Sequence, residues 1–112
     1  MAYAITVSLA SRRLLLYQQG QLVMTCPVGI GTKSTPTPTG NFCIINIRPH
    51  PGGPYGAMWM GLNKPGYGLH GTDNPSSIGG MVSKGCIRLH NSDAVTIARV
   101  VPIGTPVTIT PT

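Results

Sequence analysis

The sequence predicts a mainly β, sandwich-like fold with one late α-helix and a short helical turn. Short runs rich in strand formers recur along the chain. Gly, Pro, Asn and Ser clusters separate them, and only one segment combines helical periodicity with start and stop residues. At 112 residues the chain has the length of one domain, taken as residues 1–112, and can bury a single core.

AYAITVSL (2–9) is rich in strand formers, although its alternation is imperfect. RLLLYQ (13–18) and QLVMTCPV (21–28) flank Gln19-Gly20, a hairpin turn. GIGTKSTPTPTGN (29–41) is a loop by its Gly, Pro, Ser and Thr content. FCIINIRP (42–49) is a buried-strand run closed by Pro49, HPGGPYG (50–56) a second irregular loop, and AMWMGL (57–62) extended again. NKPGYG then turns into LHGT, and DNPSSIGG holds one helical turn with Asn74 as cap and Pro75 in the first position. In NSDAVTIARVV (91–101) Asn91 or Ser92 can cap a helix, and Asp93 suits its positive end. Val95, Ala98 and Val101 share a face, Arg99 sits late, and Pro102 and Gly104 end the helix. TPVTIT (105–110) is the final strand, and no repeat or linker is visible.

Composition excludes several chemistries. Asp73 and Asp93 are the only acids, so the HExxH metalloprotease helix, the EF-hand loop and acidic two-metal sites lack their ligands. A glycosidase would have to use both. No glycine-rich phosphate loop ending in Gly-Lys-Ser/Thr occurs. A net charge of +6 attracts anionic surfaces. Arg12-Arg13 is the only adjacent cationic pair, and aromatics are sparse, so a diffuse anionic wall or membrane surface fits better than nucleic acid. No apolar run is long enough for a transmembrane segment. The start, MAYAITVSLASRR, lacks the charged-apolar-small order of a signal peptide, so export implies another route or an upstream segment.

Cys26 and Cys43 lie in apolar strand-like runs where a free thiol packs as a small hydrophobe, and the sequence leaves a bond between them open. Cys86 lies in SKGCIRLHN, among Gly, polar and cationic residues that can favour a thiolate. A cysteine nucleophile needs a base and oxyanion donors. His70 lies 16 positions earlier, and a reversal through the Pro75 turn can return it to Cys86. Backbone N–H groups around Gly85 and Cys86 can face an oxyanion. Arg88 shares the strand face of Cys86 if the segment is extended; it can serve the site and can also pair with Asp93, and the two roles are compatible. Ser83 supports the loop or fills a turn. The alternatives for Cys86 are a buried structural thiol or a zinc ligand with His70 and His90, which would need a fourth ligand. His50 and His90 are read as solvent-facing or capping, and Tyr55, Trp59 and Tyr67 as candidate groove walls, with core packing the favoured account for Trp59.

His70-Gly71, then Ser83-x-Gly85-Cys86-x-Arg88 with Asn91 and Asp93, resembles the signature of YkuD-type L,D-transpeptidases. Thr37-Pro38-Thr39-Gly40, Pro51-Gly52-Gly53-Pro54 and the C-terminal Val-Pro-x-Gly-Thr-x-Val-Thr-Ile run extend the resemblance over nearly the whole chain. The resemblance implies a β-sandwich-like catalytic domain that cross-links bacterial peptidoglycan, a role in cell wall biogenesis and cell shape, and a place in the cell envelope. It implies Cys86 as nucleophile and His70 as general base and acid, with the Gly71 carbonyl steadying His70. Ser83, Gly85 and Arg88 are supporting residues. The thiol would attack the bond between the L-centred diamino acid and D-Ala of a tetrapeptide stem, and an acceptor amine would resolve the thioacyl-enzyme into a 3→3 cross-link. Water as acceptor would give L,D-carboxypeptidase activity, and a lapsed site would leave a wall-binding module. Peptidoglycan stem peptides and carbapenem β-lactams are the expected partners, with no cofactor and no metal. One departure stands out: the family usually has His before Gly-Cys, and here Lys84 stands there, a local cation without an assigned catalytic role.

Overall fold

The computed structural model describes residues 2–112. Ten strands run in chain order: β1 (Tyr3–Ser8), β2 (Arg13–Gln18), β3 (Gln21–Pro27), β4 (Ile30–Gly31), β5 (Gly40–Pro49), β6 (Met58–Leu62), β7 (Gly68–His70), β8 (Met81–Ser83), β9 (Ile87–Arg88) and β10 (Pro106–Thr110). One helix, α1 (Asn91–Val100), precedes β10, and 3₁₀ turns occupy Gly53–Tyr55 and Pro75–Ser77. Eight strands form one sheet in the order β3-β2-β1-β10-β5-β6-β7-β9, and β4 pairs with β8 in a second, two-stranded sheet. The β1–β10 and β7–β9 pairs are parallel, and the other pairs of the large sheet are antiparallel.

Alternation builds the core. Ile5 and Val7 lie opposite Leu16 and Leu14 on one side and Val107 and Ile109 on the other, all buried. Burying each such side chain contributes about 1.5–3 kcal/mol. The β2–β3 turn carries left-handed φ at both Gln19 (50°) and Gly20 (79°), the twist that matches a two-residue hairpin. The turn at Pro75–Ser77 begins after Asn74, as the sequence predicts.

Three details depart from the sequence reading. The helix buries Ala94 and Ile97, followed by the C-cap residue Val101, rather than a face of Val95, Ala98 and Val101; Val95 and Ala98 are only partly covered. Its N-cap is His90, without a side-chain cap bond, and the Asn91 amide is committed instead to the backbone at Ala57 and Thr72. That docking fixes the helix rotation, since Asn91 lies one turn before Ala94 on the same side. Finally, β4, β7, β8 and β9 span only two or three residues each, too few for a periodic signal, and exist through their long-range pairing.

All three cysteines are free. Cys26 is buried in the core, and burial, reinforced by Asp93, pushes its thiol up to about 12, so it is an inert packing residue.

Candidate active site

The far half of the large sheet sets the site. His70 ends β7, flanked across the sheet by Trp59 of β6 and Arg88 of β9. It is 3 % exposed. Its Nδ1–H donates to the Gly71 carbonyl at 2.5 Å. A carbonyl only accepts, so the proton must sit on Nδ1 and Nε2 keeps a free lone pair.

Aromatic side chains pack around the imidazole. The Trp59 ring stacks on it, with centroids 5.6 Å apart and planes 16° apart. Tyr55 meets both rings edge-on, at 5.1 Å from His70 and 5.2 Å from Trp59. Gly68 makes room for this stack: a Cβ there would stand 2.7 Å from Trp59 Cζ2. Trp59 is therefore half-buried at the site and not the core residue the sequence suggests.

Asn91 fixes the carbonyl that orients His70. Its Oδ1 accepts from the N–H groups of Ala57 and Thr72, both at 3.0 Å, and its Nδ2 donates to the Thr72 carbonyl at 3.0 Å. A side chain at Gly71 would collide with Asn91, so the close approach requires glycine. Asn91→Ala would strand these three backbone groups. The expected cost is about 1–3 kcal/mol in urea unfolding, together with lower activity as the Gly71 carbonyl loosens.

Cys86 follows β8 in a tight loop held by Ser83. The buried Ser83 Oγ donates to the Cys86 carbonyl at 2.7 Å and accepts from the Gly85 N–H at 3.1 Å. The Ser83 carbonyl in turn accepts from Thr32 N–H and Thr35 Oγ1, so the Thr-rich loop underpins the cysteine loop. Gly85 has φ +120°, and a Cβ there would lie 2.6 Å from the Tyr67 ring, so only glycine fits. Its N–H is engaged by Ser83, which differs from the oxyanion role the sequence suggests. The Cys86 N–H makes none of the hydrogen bonds that shape this loop. Sγ donates to the Gly66 carbonyl at 3.5 Å.

A cleft of about 500 Å³ brings His70, Cys86, Ser83, Arg88, Lys84 and Tyr55 together. Arg88 is half-buried, and its Nε has no hydrogen-bond partner. Among the described residues it forms no ion pair with Asp93, the structural role the sequence also allows. Asp73 is exposed and takes no part, and the partner of His70 is a carbonyl. His50 and His90 do not line the cleft, and no group of three metal-ligating side chains occurs among the described residues.

Electrostatics leave the pair neutral at rest. Burial pushes the His70 pKa down, and Arg88 adds to this against the Gly71 hydrogen bond. Burial pushes the Cys86 thiol up, opposed by the Gly68 backbone and Arg88. The arrangement offers a thiol, an oriented imidazole lone pair and an unpaired guanidinium in one open cleft.

A sequence model of the YkuD family, described as the L,D-transpeptidase catalytic domain, matches residues 2–109. The chain belongs to this family. It is 55 % identical over 109 residues to YkuD of Bacillus licheniformis and 51 % over 107 residues to YkuD of Bacillus subtilis, both bearing provisional L,D-transpeptidase names. The matches cover 97 % and 96 % of this chain but 66 % and 65 % of those proteins, just under two-thirds of their length. Among solved structures it resembles the Ldtfm–avibactam carbamoyl enzyme, with a TM-score of 0.87 and 26 % identity, over 100 % of this chain and 50 % of that one. The catalytic domain of the Enterococcus faecium L,D-transpeptidase, solved by NMR, gives 0.84 and 26 %, covering 96 % and 95 % of the two chains. The mainly β architecture is thus that of L,D-transpeptidase catalytic domains.

The lowered His70 pKa of this YkuD domain has a consequence for stability. Unfolded His titrates near about 6.5, so below that pH the unfolded chain binds a proton that folded His70 resists. Stability is expected to fall as pH drops below about 6.5, and His70→Gln should flatten that slope. Urea midpoints of both proteins, measured between about pH 7 and about pH 5, check this through their difference.

Proposed function

We propose that this chain is a peptidoglycan L,D-transpeptidase acting at the bacterial envelope, with Cys86 as nucleophile and His70 as base and acid. The observation that carries this is the shared cleft, with Sγ, an imidazole whose tautomer is set by Gly71, and an unpartnered Arg88. Family membership supports the reaction class. The net charge of +6 suits an anionic wall.

In this mechanism His70 Nε2 takes the thiol proton as Sγ attacks the carbonyl between the L-centred diamino acid and D-Ala. A raised thiol and a lowered imidazole favour proton transfer during attack over a preformed ion pair. The Cys86 N–H and the Arg88 guanidinium face the developing oxyanion. The imidazolium then protonates the departing D-Ala amine, leaving a thioester. An acceptor amine attacks it, the C–N bond forms, the C–S bond breaks, and His70 carries the amine proton to sulfur. Water in place of the amine gives the tripeptide by hydrolysis.

Carbapenems would acylate the same sulfur through their strained ring. The avibactam carbamoyl enzyme among the similar structures is a covalent adduct of a different reagent class, and it supports a site open to electrophiles. Incubation with a tetrapeptide stem tests the whole reading by mass spectrometry. D-Ala release with a 3→3-linked dimer is the expected result, and an unaltered stem would refute it.

A further inference from the structure

A cavity of about 390 Å³ opens where the β1–β2 turn meets β4 and the loop that follows it. Met81 of β8 and Pro111 complete its wall. None of its lining residues lines the cleft that holds Cys86. Strand β8 divides the two, since Met81 lines this cavity while Val82 and Ser83 line the cleft. A ligand seated here leaves the thiol and the imidazole free.

Donors collect in it. Arg12 holds a left-handed φ of 54°, uncommon for a residue with a side chain. Its carbonyl accepts from the Val28 N–H at 3.0 Å, and its Nη1 donates to the Gly79 carbonyl at 2.9 Å. The guanidinium is thus pinned to the wall while its other N–H groups stay unpaired. Lys33, in the loop after β4, is exposed and makes no hydrogen bond or ion pair among the described residues. Thr37, which opens the Thr-Pro-Thr-Gly run, is only 5 % exposed. Its Oγ1 accepts from the Gly31 N–H at 2.9 Å, and its O–H has no acceptor among the described residues. A buried donor without an acceptor is costly, so this hydroxyl points to a ligand. Asp73 and Asp93, the only acids of the chain, lie outside the cavity. A guanidinium, an ammonium and a hydroxyl unopposed by any acid suit an anion. Phosphate presents oxygens in several directions, as donors from three chain positions require, whereas a carboxylate presents two in one plane. The volume leaves room for the units a phosphodiester joins, against Leu9, Ile30 and Pro36.

We propose that this cavity binds a phosphodiester of an anionic envelope polymer, and so tethers the protein while its cleft stays open to substrate. Arg12 and Lys33 hold the phosphate oxygens, and the Thr37 hydroxyl donates to one of them. A single phosphodiester on two solvent-reachable cations binds weakly. A polymer presents the group at every unit, so a chain that slips is recaptured at high local concentration. The net charge of +6 draws the polymer in, and the cavity gives that attraction a place. The site stands apart from the reaction assigned to Cys86, because it names a partner and no chemical step.

The test titrates fluorescently labelled poly(glycerol phosphate) against the full chain by anisotropy at low salt. Lys33→Gln is expected to raise Kd by about three- to tenfold. Arg12→Gln should do the same, with a urea melt on the same sample reporting any loss of the Gly79 bond; the exposed, unbonded Lys33 decides the matter if that variant is unstable. Arg99→Gln removes the same charge from an exposed helix position outside the cavity, and should change Kd by less than about twofold. Saturating polymer should leave D-Ala release from a tetrapeptide stem running. Wild-type affinity in Lys33→Gln would overturn the site, and an equal loss in Arg99→Gln would reduce it to diffuse attraction. Inhibition of D-Ala release by the polymer would place the polymer in the cleft instead. Tighter, Lys33-dependent binding to phosphatidylglycerol vesicles would reassign the cavity to a membrane surface and overturn the polymer. The binding measurements stand whether or not the stem is turned over, so failure of this site and failure of the proposed function are distinguishable.

Discussion

Cys86→Ala is expected to abolish D-Ala release from a tetrapeptide stem, a fall of about 10⁴-fold or more, with stability changed by less than about 1 kcal/mol. The asymmetry follows from where the sulfur sits. Cys86 is half-buried at the cleft and its loop is held by Ser83, Gly85 and the Thr32–Thr35 segment, not by the thiol. Removing sulfur deletes the proposed nucleophile and leaves the scaffold bonded as before. D-Ala assays and urea melts on the same preparation separate the two quantities. Turnover persisting in the variant would eliminate a thiol mechanism.

His70 should be nearly as sensitive. His70→Ala is expected to lower turnover by about 10²–10⁴-fold, the range in which a positioned base contributes. It also opens a gap beneath Trp59 and Tyr55 in a residue 3 % exposed, so part of any loss is structural. A pH profile isolates the chemical part. Because the folded pKa is lowered, wild-type activity should hold at neutral pH and fall only as pH drops well below about 6.5, where the imidazole takes a proton. The raised Cys86 pKa means that the neutral thiol predominates at neutral pH, so the base is needed there. His70→Gln should lose this acid limb. An unchanged limb in the variant would assign it to another group.

Much of the site was legible because its signals are local. Gly71 beside His70 supplies the carbonyl from the next residue, and Gly85 beside Cys86 marks a position where φ is positive and Tyr67 leaves no room. The longer strands followed from their apolar runs, and the β2–β3 hairpin from Gln19-Gly20. What escaped was non-local. Trp59 in AMWMGL looks like a core residue, and only strand register puts it on His70. Gly61 and Gly68, paired across β6 and β7, were the one signal for it, since two facing glycines leave a flat seat for a large ring. Asn91 resembles a cap from its neighbours, yet its amide spans to Ala57 and Thr72, a contact across 34 and 19 residues. The sequence offers the Gly85 N–H to an oxyanion, and Ser83, two residues away, takes it instead. The possible pairing of Arg88 with Asp93 failed for the same reason, since proximity in sequence did not become contact.

The central claim is that the sulfur of Cys86 becomes acylated in this cleft. Whole-protein mass spectrometry after exposure to meropenem tests it most directly. The account requires a single covalent adduct on the wild-type chain, mapping to the peptide that holds Cys86 and absent from Cys86→Ala. An adduct that survives in Cys86→Ala, or wild-type protein of unchanged mass after prolonged exposure, would contradict it.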